Sequence, residues 1–340
     1  MRYIVIGSVA FLVGCSSNSR EKLTVYSPHG KEMLAVFERR YEEAHPGVDV
    51  QWLDMGSQDV YDRIRTEREN PQADIWWGAP SITFSRAEEE GLLLQYTPAW
   101  DSSVATEFKS ANGYWRGTFI TPEVIMYNSR ILDAGEAPKD WDELLDPKWA
   151  GKIIVRYPLA SGTMRIIFSA MVERQVKKSG SIEAGFNWLR ALDANTKTYV
   201  ADPTQLYLKI ARGEGVVTLW DLPDVVLQAS VNGYPFGYII PKSGTPLITD
   251  CIAIVRGTRH FAEAIRFYEF VTTQESMIEQ ARSFYRIPTR RDIPPERLPG
   301  WIRELKLKSL DIDWKMLAAN EKGWMKLWDE EIKGSGRRPH

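Results

Sequence analysis

The stretch LASGTMRIIFSAMV sets Ser161, Gly162 and Thr163 ahead of an apolar segment with helical spacing. A helix start presents unpaired backbone N–H groups and the positive end of the helix dipole. The two hydroxyls add donors, and Gly162 lets a ligand approach the backbone. This chemistry suits an anion. It also suits an ordinary N-cap, because Ser and Thr cap many helices. Two more turns repeat the arrangement: Ser27 with Pro28-His29-Gly30, and Gly56-Ser57. Each lies just past a predicted strand and ahead of a predicted helix, so each aims N–H groups toward one space. Together the three turns favour an anion site at Ser161 to Thr163 over a plain cap. Trp76, Trp77 and Trp220 offer faces for an apolar or sugar surface, and Asp221 offers acceptors for hydroxyl or ammonium groups. Thr121 completes the candidate set. One of Trp76 and Trp77 is expected in a core, since strand neighbours alternate faces. Asp221 and Asp224 equally suit the cap of a helix after Pro223.

The elements that must position these residues follow from hydrophobic spacing. LTVYS from Leu23 is a strand, and Lys31 to His45 carries apolar Met33, Leu34, Phe37 and Tyr41 on one helical face. VDVQWL is the next strand, GSQD a turn, Val60 to Glu69 a helix, ADIWWG a third strand and SITFSRAEEEGLL a helix. This alternation is the pattern of a parallel α/β sheet. After Trp100 the run NGYWRGTFITPEVIMYNSRIL reads as short β segments, DWDELLD as a short helix and KIIVRYP as a strand. A second α/β unit follows, with a helix from Ser181, the strand TKTYV, a helix over Thr204 to Arg212 and the strand GVVTLW. ITDCIAIV then returns to the first unit, ahead of a helix in FAEAIRFYEFVTTQE. A chain that leaves one lobe, builds another and comes back makes two lobes with a cleft between them, where ligand sites fall.

Composition narrows the function classes. The chain has 340 residues, 44% hydrophobic and 26% charged, with a net charge of −2, so it is globular and lacks the basic excess of a nucleic-acid binder. Its N-terminus, MRYIVIGSVAFLVGCSS, has one early arginine and an apolar run too short to span a bilayer, ending in small residues before Cys15. This resembles a bacterial lipoprotein signal, which implies cleavage after residue 14, a lipid on Cys15, a polar tether over 15–22 and export. The second cysteine, Cys251, sits in an apolar run and reads as a buried hydrophobe. The four histidines, 29, 45, 260 and 340, make no metal motif, and His45 and His260 fall at predicted helix boundaries. Ser161, His29 and Asp221 are the components of a hydrolytic triad, but ASGT is not the strained elbow such a serine needs. No enzyme, cofactor or resident metal is expected.

The run PKDWDELLDPKWAGKIIVRYPLASGT resembles the type II periplasmic solute-binding proteins of ABC importers, in the group that contains ferric-ion binders and carriers of organic phosphates and phosphonates. LTVYSPHGKEML, ADIWWGAPS and GEGVVTLWDLPD match further blocks in order, so the resemblance covers Leu23 to Pro288. It implies a two-lobed α/β fold, each lobe a mixed sheet flanked by helices, with closure on a solute read by a membrane permease. The expected division is lobe 1 over 23–119 and 246–290, lobe 2 over 120–245, and a helical segment over 291–340 packing on the lobes with a disordered end. The protein is expected as a monomer, with membrane contact through its lipid only. Ferric binders of the group carry tandem tyrosines where this chain has Trp220-Asp221, so the expected solute is a small organic anion, with ferric iron the alternative. A polyamine or sugar is a further alternative; a polyamine needs several carboxylates, for which Asp202, Asp221 and Asp224 are candidates.

Overall fold

The computed structural model describes residues 20–335; Cys15 and the signal over 1–14 lie outside them. Strand β1 (Glu21–Ser27) begins two residues earlier than the expected tether allows, because the Glu21 N–H bonds the Gly47 carbonyl and Arg20 reaches the Val48 carbonyl. Helix α1 (Lys31–Ala44), β2 (Val48–Asp54), α2 (Ser57–Thr66), β3 (Ile75–Pro80), α3 (Ser81–Glu89) and β4 (Leu93–Leu94) follow. The turn expected over GSQD is shorter than its sequence suggests: α2 starts at Ser57, directly behind Gly56.

The short segments expected after Trp100 are one strand, β5 (Arg116–Asn128). Pro122 lies inside it, at the place where the strand changes partners. After it come β6 (Ile153–Arg156), α4 (Gly162–Ser179), α5 (Ile182–Asn195), β7 (Thr196–Val200), α6 (Pro203–Ala211), β8 (Val217–Asp221), α7 (Leu222–Asn232), β9 (Phe236–Ile239) and β10 (Leu247–Val255). Through Pro122, β5 pairs antiparallel with β10; from Glu123 onward it pairs with β8 and β9. A proline has no N–H to give to a ladder, so the switch of sheets falls where a donor is already missing.

The helix expected over FAEAIRFYEFVTTQE is two, α8 (Phe261–Val271) and α9 (Gln274–Phe284). Thr273 caps the second by accepting from the Ser276 N–H at 3.1 Å, while the Thr272 hydroxyl donates back to the Tyr268 carbonyl at 2.7 Å. β11 (Ile287–Pro288), α10 (Gly300–Glu304), α11 (Trp314–Leu327) and a π-helical turn over Trp328–Ile332 close the described residues.

One sheet path, β2-β1-β3-β10-β5-β8-β6-β7, threads both halves of the molecule. Its first part forms lobe 1. One face packs on Phe37, Phe267 and Tyr268, the other on Tyr61, Phe84 and Ala87. Its second part forms lobe 2, filled from α4, α5, α6 and α7. Helix α11 joins that second core through Leu317, Trp324 and Met325. The Thr245 N–H and carbonyl also bond Lys308 and Leu310, so the C-terminal segment braces the return crossing. The result is a mixed α/β fold of two lobes, joined where β5 passes from one sheet to the other. No described helix is long and apolar enough to cross a membrane.

Candidate functional site

The lobes meet closely where two helix starts face each other. A Cβ on Gly56, just ahead of α2, would lie 2.6 Å from the Ala160 carbonyl of lobe 2. A Cβ on Gly162, the first residue of α4, would lie 2.9 Å from Pro80 Cδ and 3.1 Å from Ser57 Cβ of lobe 1. Neither contact leaves room for a side chain. Gly56, Ser57, Ser161 and Gly162 are therefore together, at the seam between the lobes, and Thr163 is half-buried one residue further on. The Ser161 hydroxyl oxygen accepts from the Met164 N–H at 3.3 Å, so it caps α4. That leaves its own proton free to be donated.

Arg156 stands at the same seam. It ends β6, is buried, and its Nη2 lies 3.6 Å from the Cβ position of Gly56. Its Nε and Nη1 have no hydrogen-bond partner among the described residues. Burial lowers its pKa, opposed by the charges of Asp202 and Asp59. The sequence reading passed over this residue. Its signal was a charged side chain closing the apolar run KIIVR, at the C-terminal end of a buried strand, where α/β ligands bind.

The other end of the cleft is acidic. Asp221 caps α7 through the Asp224 N–H at 2.9 Å. Tyr207, buried, donates its hydroxyl to Asp224 at 2.8 Å and accepts from Trp220 Nε1 at 3.1 Å. Glu123 is fully buried on β5, and neither carboxylate oxygen has a hydrogen-bond partner among the described residues. Burial, and then Asp221, Asp250 and Asp224, push its pKa well above the ordinary 4.5. Burial and Asp224 push Asp221 up as well, against the pull of Arg286. Thr121 donates to Asp250, which also accepts from the Ala79 N–H at 3.3 Å. Buried Arg286 of lobe 1 lies over the Phe119 ring and 3.4 Å from Asp224 of lobe 2.

His29 is buried, with no hydrogen-bond partner for Nε2 among the described residues, its ring against Gly78 and edge-on to Trp77. Burial and Arg286 hold its pKa well below 6.5, so it is neutral. Ser27 is fully buried and accepts from the His29 N–H at 3.2 Å.

Two of the expected ligand faces are elsewhere. Trp76 stacks on Phe84 with centroids 4.1 Å apart, and Trp77 packs edge-on to Phe37 on the opposite face of the sheet. Both are wholly buried in lobe 1, so both serve cores. Alternation does separate them, but a sheet covered on both faces has no side left open to a ligand. Trp220 is nearly buried and serves the site only by holding Tyr207.

No hydrogen bond joins Ser161, His29 and Asp221 among the described residues. Nor is any group of three or more His, Cys, Asp or Glu placed there to hold a metal ion. Cys251 is buried and free. His45 bonds the Tyr41 carbonyl at 3.1 Å, and His260 pairs with Asp74 at 3.1 Å. The arrangement can clasp a small solute with a cation at one end and carboxyls at the other.

The chain is 27% identical over 320 residues to a protein of Sinorhizobium fredii named as an ABC transporter periplasmic-binding protein, covering 92% of this chain and 87% of the other. It is 27% identical over 256 residues to a Salmonella typhimurium protein whose name assigns it to 2-aminoethylphosphonate, covering 73% and 72%. An iron uptake protein of Synechocystis is 23% identical over 83% of this chain and 81% of its own length. The solved structure of the periplasmic binding protein P5PA superposes with a TM-score of 0.79 at 25% identity, covering 92% of this chain and all of the other. Residues 38–305 match the model of the bacterial extracellular solute-binding proteins, and the chain belongs to that family.

Proposed function

We propose that the protein is the solute receptor of an ABC importer, and that its solute is a small organic anion carrying a phosphonate or phosphate group and an ammonium group. The observation that carries this reading is Arg156. A buried guanidinium whose Nε and Nη1 lack hydrogen-bond partners among the described residues is costly, and an incoming anion would return on the order of several kcal/mol by pairing with it. The starts of α2 and α4 meet beside it and add oriented N–H groups. Glu123, Asp221, Asp224 and Asp250 at the far end supply acceptors for an ammonium group. The likeness to the Salmonella protein supports the same class. The closed, loaded form is what a membrane permease would read, and the LVGC sequence ahead of Ser16 supports a lipid anchor at Cys15 on the exported, monomeric protein.

A calorimetric panel tests the reading: 2-aminoethylphosphonate, ethylphosphonate, fructose 6-phosphate, spermidine and ferric citrate. The aminophosphonate should bind most tightly and ethylphosphonate more weakly. Tightest binding of ferric citrate or spermidine would overturn it.

A further inference from the structure

Glu321 lies on α11 and is almost fully buried, yet it touches both lobes. One carboxylate oxygen accepts from Arg165 Nη1 at 2.6 Å, in the first turn of α4. The other accepts from Arg86 Nη2 at 3.0 Å, on α3. Arg165 turns its remaining donors back to the Leu159 carbonyl, at 3.0 and 3.3 Å. It so ties down the turn whose Ala160 carbonyl abuts Gly56. The side chain of Arg86 also lies over the Tyr61 ring of lobe 1, 5.9 Å from its centroid.

These contacts divide by lobe. Helix α11 is packed into the lobe 2 core, and so is α4. Helix α3 belongs to lobe 1, through Phe84 and Ala87. The Glu321–Arg165 bond is therefore internal to lobe 2, and the Glu321–Arg86 bond crosses the cleft. The crossing bond lies alongside the seam, because Pro80 and Gly162 touch at the starts of the same two helices, α3 and α4. Lobes that part at this seam must break the crossing bond and can keep the internal one.

We infer that Glu321 is an inter-lobe clasp: the C-terminal helix reaches over the cleft and holds the closed form through Arg86, independently of the solute. Being nearly buried, this carboxylate is less screened than a surface pair, and its interaction with Arg86 exists only when the lobes are together. The clasp gives the C-terminal segment a role in setting the balance between open and closed receptor. It makes no use of the identity of the solute, so its fate is separate from that of the proposed function.

The test needs no solute. Small-angle scattering of the full free chain is compared for wild type, Arg86→Met, Arg86→Gln and Arg165→Met, each with its melting midpoint. Both Arg86 variants should enlarge the radius of gyration by about 1 Å on a value of about 20 Å, with the midpoint unchanged. Arg165→Met should lower the midpoint, because it removes a bond inside lobe 2. A radius equal to wild type in both Arg86 variants would overturn the clasp. So would a loss of midpoint in them that matches Arg165→Met without a change in radius.

Discussion

Glu123 and Asp221 are directly opposite partners in the antiparallel ladder of β5 and β8, at the first residue pair of lobe 2 beyond the switch at Pro122. Two carboxyls side by side in a buried place cannot both ionise cheaply. Both are held above their ordinary values, by burial first and by neighbouring carboxyls next. Glu123 is a neutral carboxylic acid at the root of the cleft until the pH rises well above 4.5.

A pH dependence follows from that pair. A raised pKa in the folded state means that folding takes up protons, so the stabilisation is full below the unfolded pKa and is lost as pH rises through the folded one. Gln at position 123 stays neutral throughout. The stability of Glu123→Gln relative to wild type should therefore increase steadily as pH rises above 4.5. Urea unfolding of both proteins at pH 5, 6.5 and 8 checks this; a constant difference would show that Glu123 ionises freely.

Arg156→Gln should separate stability from function. Removing a buried charge whose Nε and Nη1 make no hydrogen bond should leave the free protein as stable as wild type or stabler, while binding of 2-aminoethylphosphonate weakens by roughly a hundredfold, about 2.7 kcal/mol. Calorimetric titration alongside the melting midpoint gives both numbers. Unchanged affinity would move the anion away from this seam.

Gly162→Ala adds a methyl group where Pro80 Cδ is only 2.9 Å away. Parting the lobes takes the same methyl away from lobe 1, so the clash opens the receptor rather than unfolding it, and alanine is the better helix former by up to about 1 kcal/mol. The free protein should keep its midpoint. Affinity for 2-aminoethylphosphonate should fall about tenfold or more, because closure is obstructed. Scattering of the variant at saturating solute should show a larger radius than the loaded wild type.

Ser161→Ala removes a cap seen directly in the Met164 N–H contact. Its cost to stability should be about 1 kcal/mol, read from urea unfolding. If the freed hydroxyl proton also serves the solute, affinity drops in the same variant, whereas Thr163→Val reports on binding without touching the cap. Affinity preserved in both would leave Arg156 and the backbone N–H groups as the whole anion site.

Much of the molecule was legible in local order. Strands and helices alternate with their proper periods, Asp221 and Ser161 each precede a helix and do cap one, and ITDCIAIV does return to the first sheet as β10. These features depend on residues a few positions apart, so the sequence carries them openly. The errors had local causes too. The single helix drawn through Thr272-Thr273 ignored a cap inside an apolar pattern, and the short segments drawn around Pro122 ignored that a strand can cross from one sheet to another at a proline.

What the chain order by itself determined was the α/β class and the setting of the Gly56-Ser57 and Ser161-Gly162 turns, each at a strand end and a helix start. What only the tertiary structure decided was partnership. Arg156 is a site candidate because its buried Nε and Nη1 have no hydrogen-bond partner among the described residues, and that depends on what the fold packs around it rather than on KIIVR. Trp76 and Trp77 are core because both faces of β3 are covered by distant helices. Glu321 reaches Arg86 and Arg165 across 235 and 156 positions of chain. Burial and pairing are sums over everything nearby in space, and spacing along a sequence records only the neighbours that the backbone itself supplies.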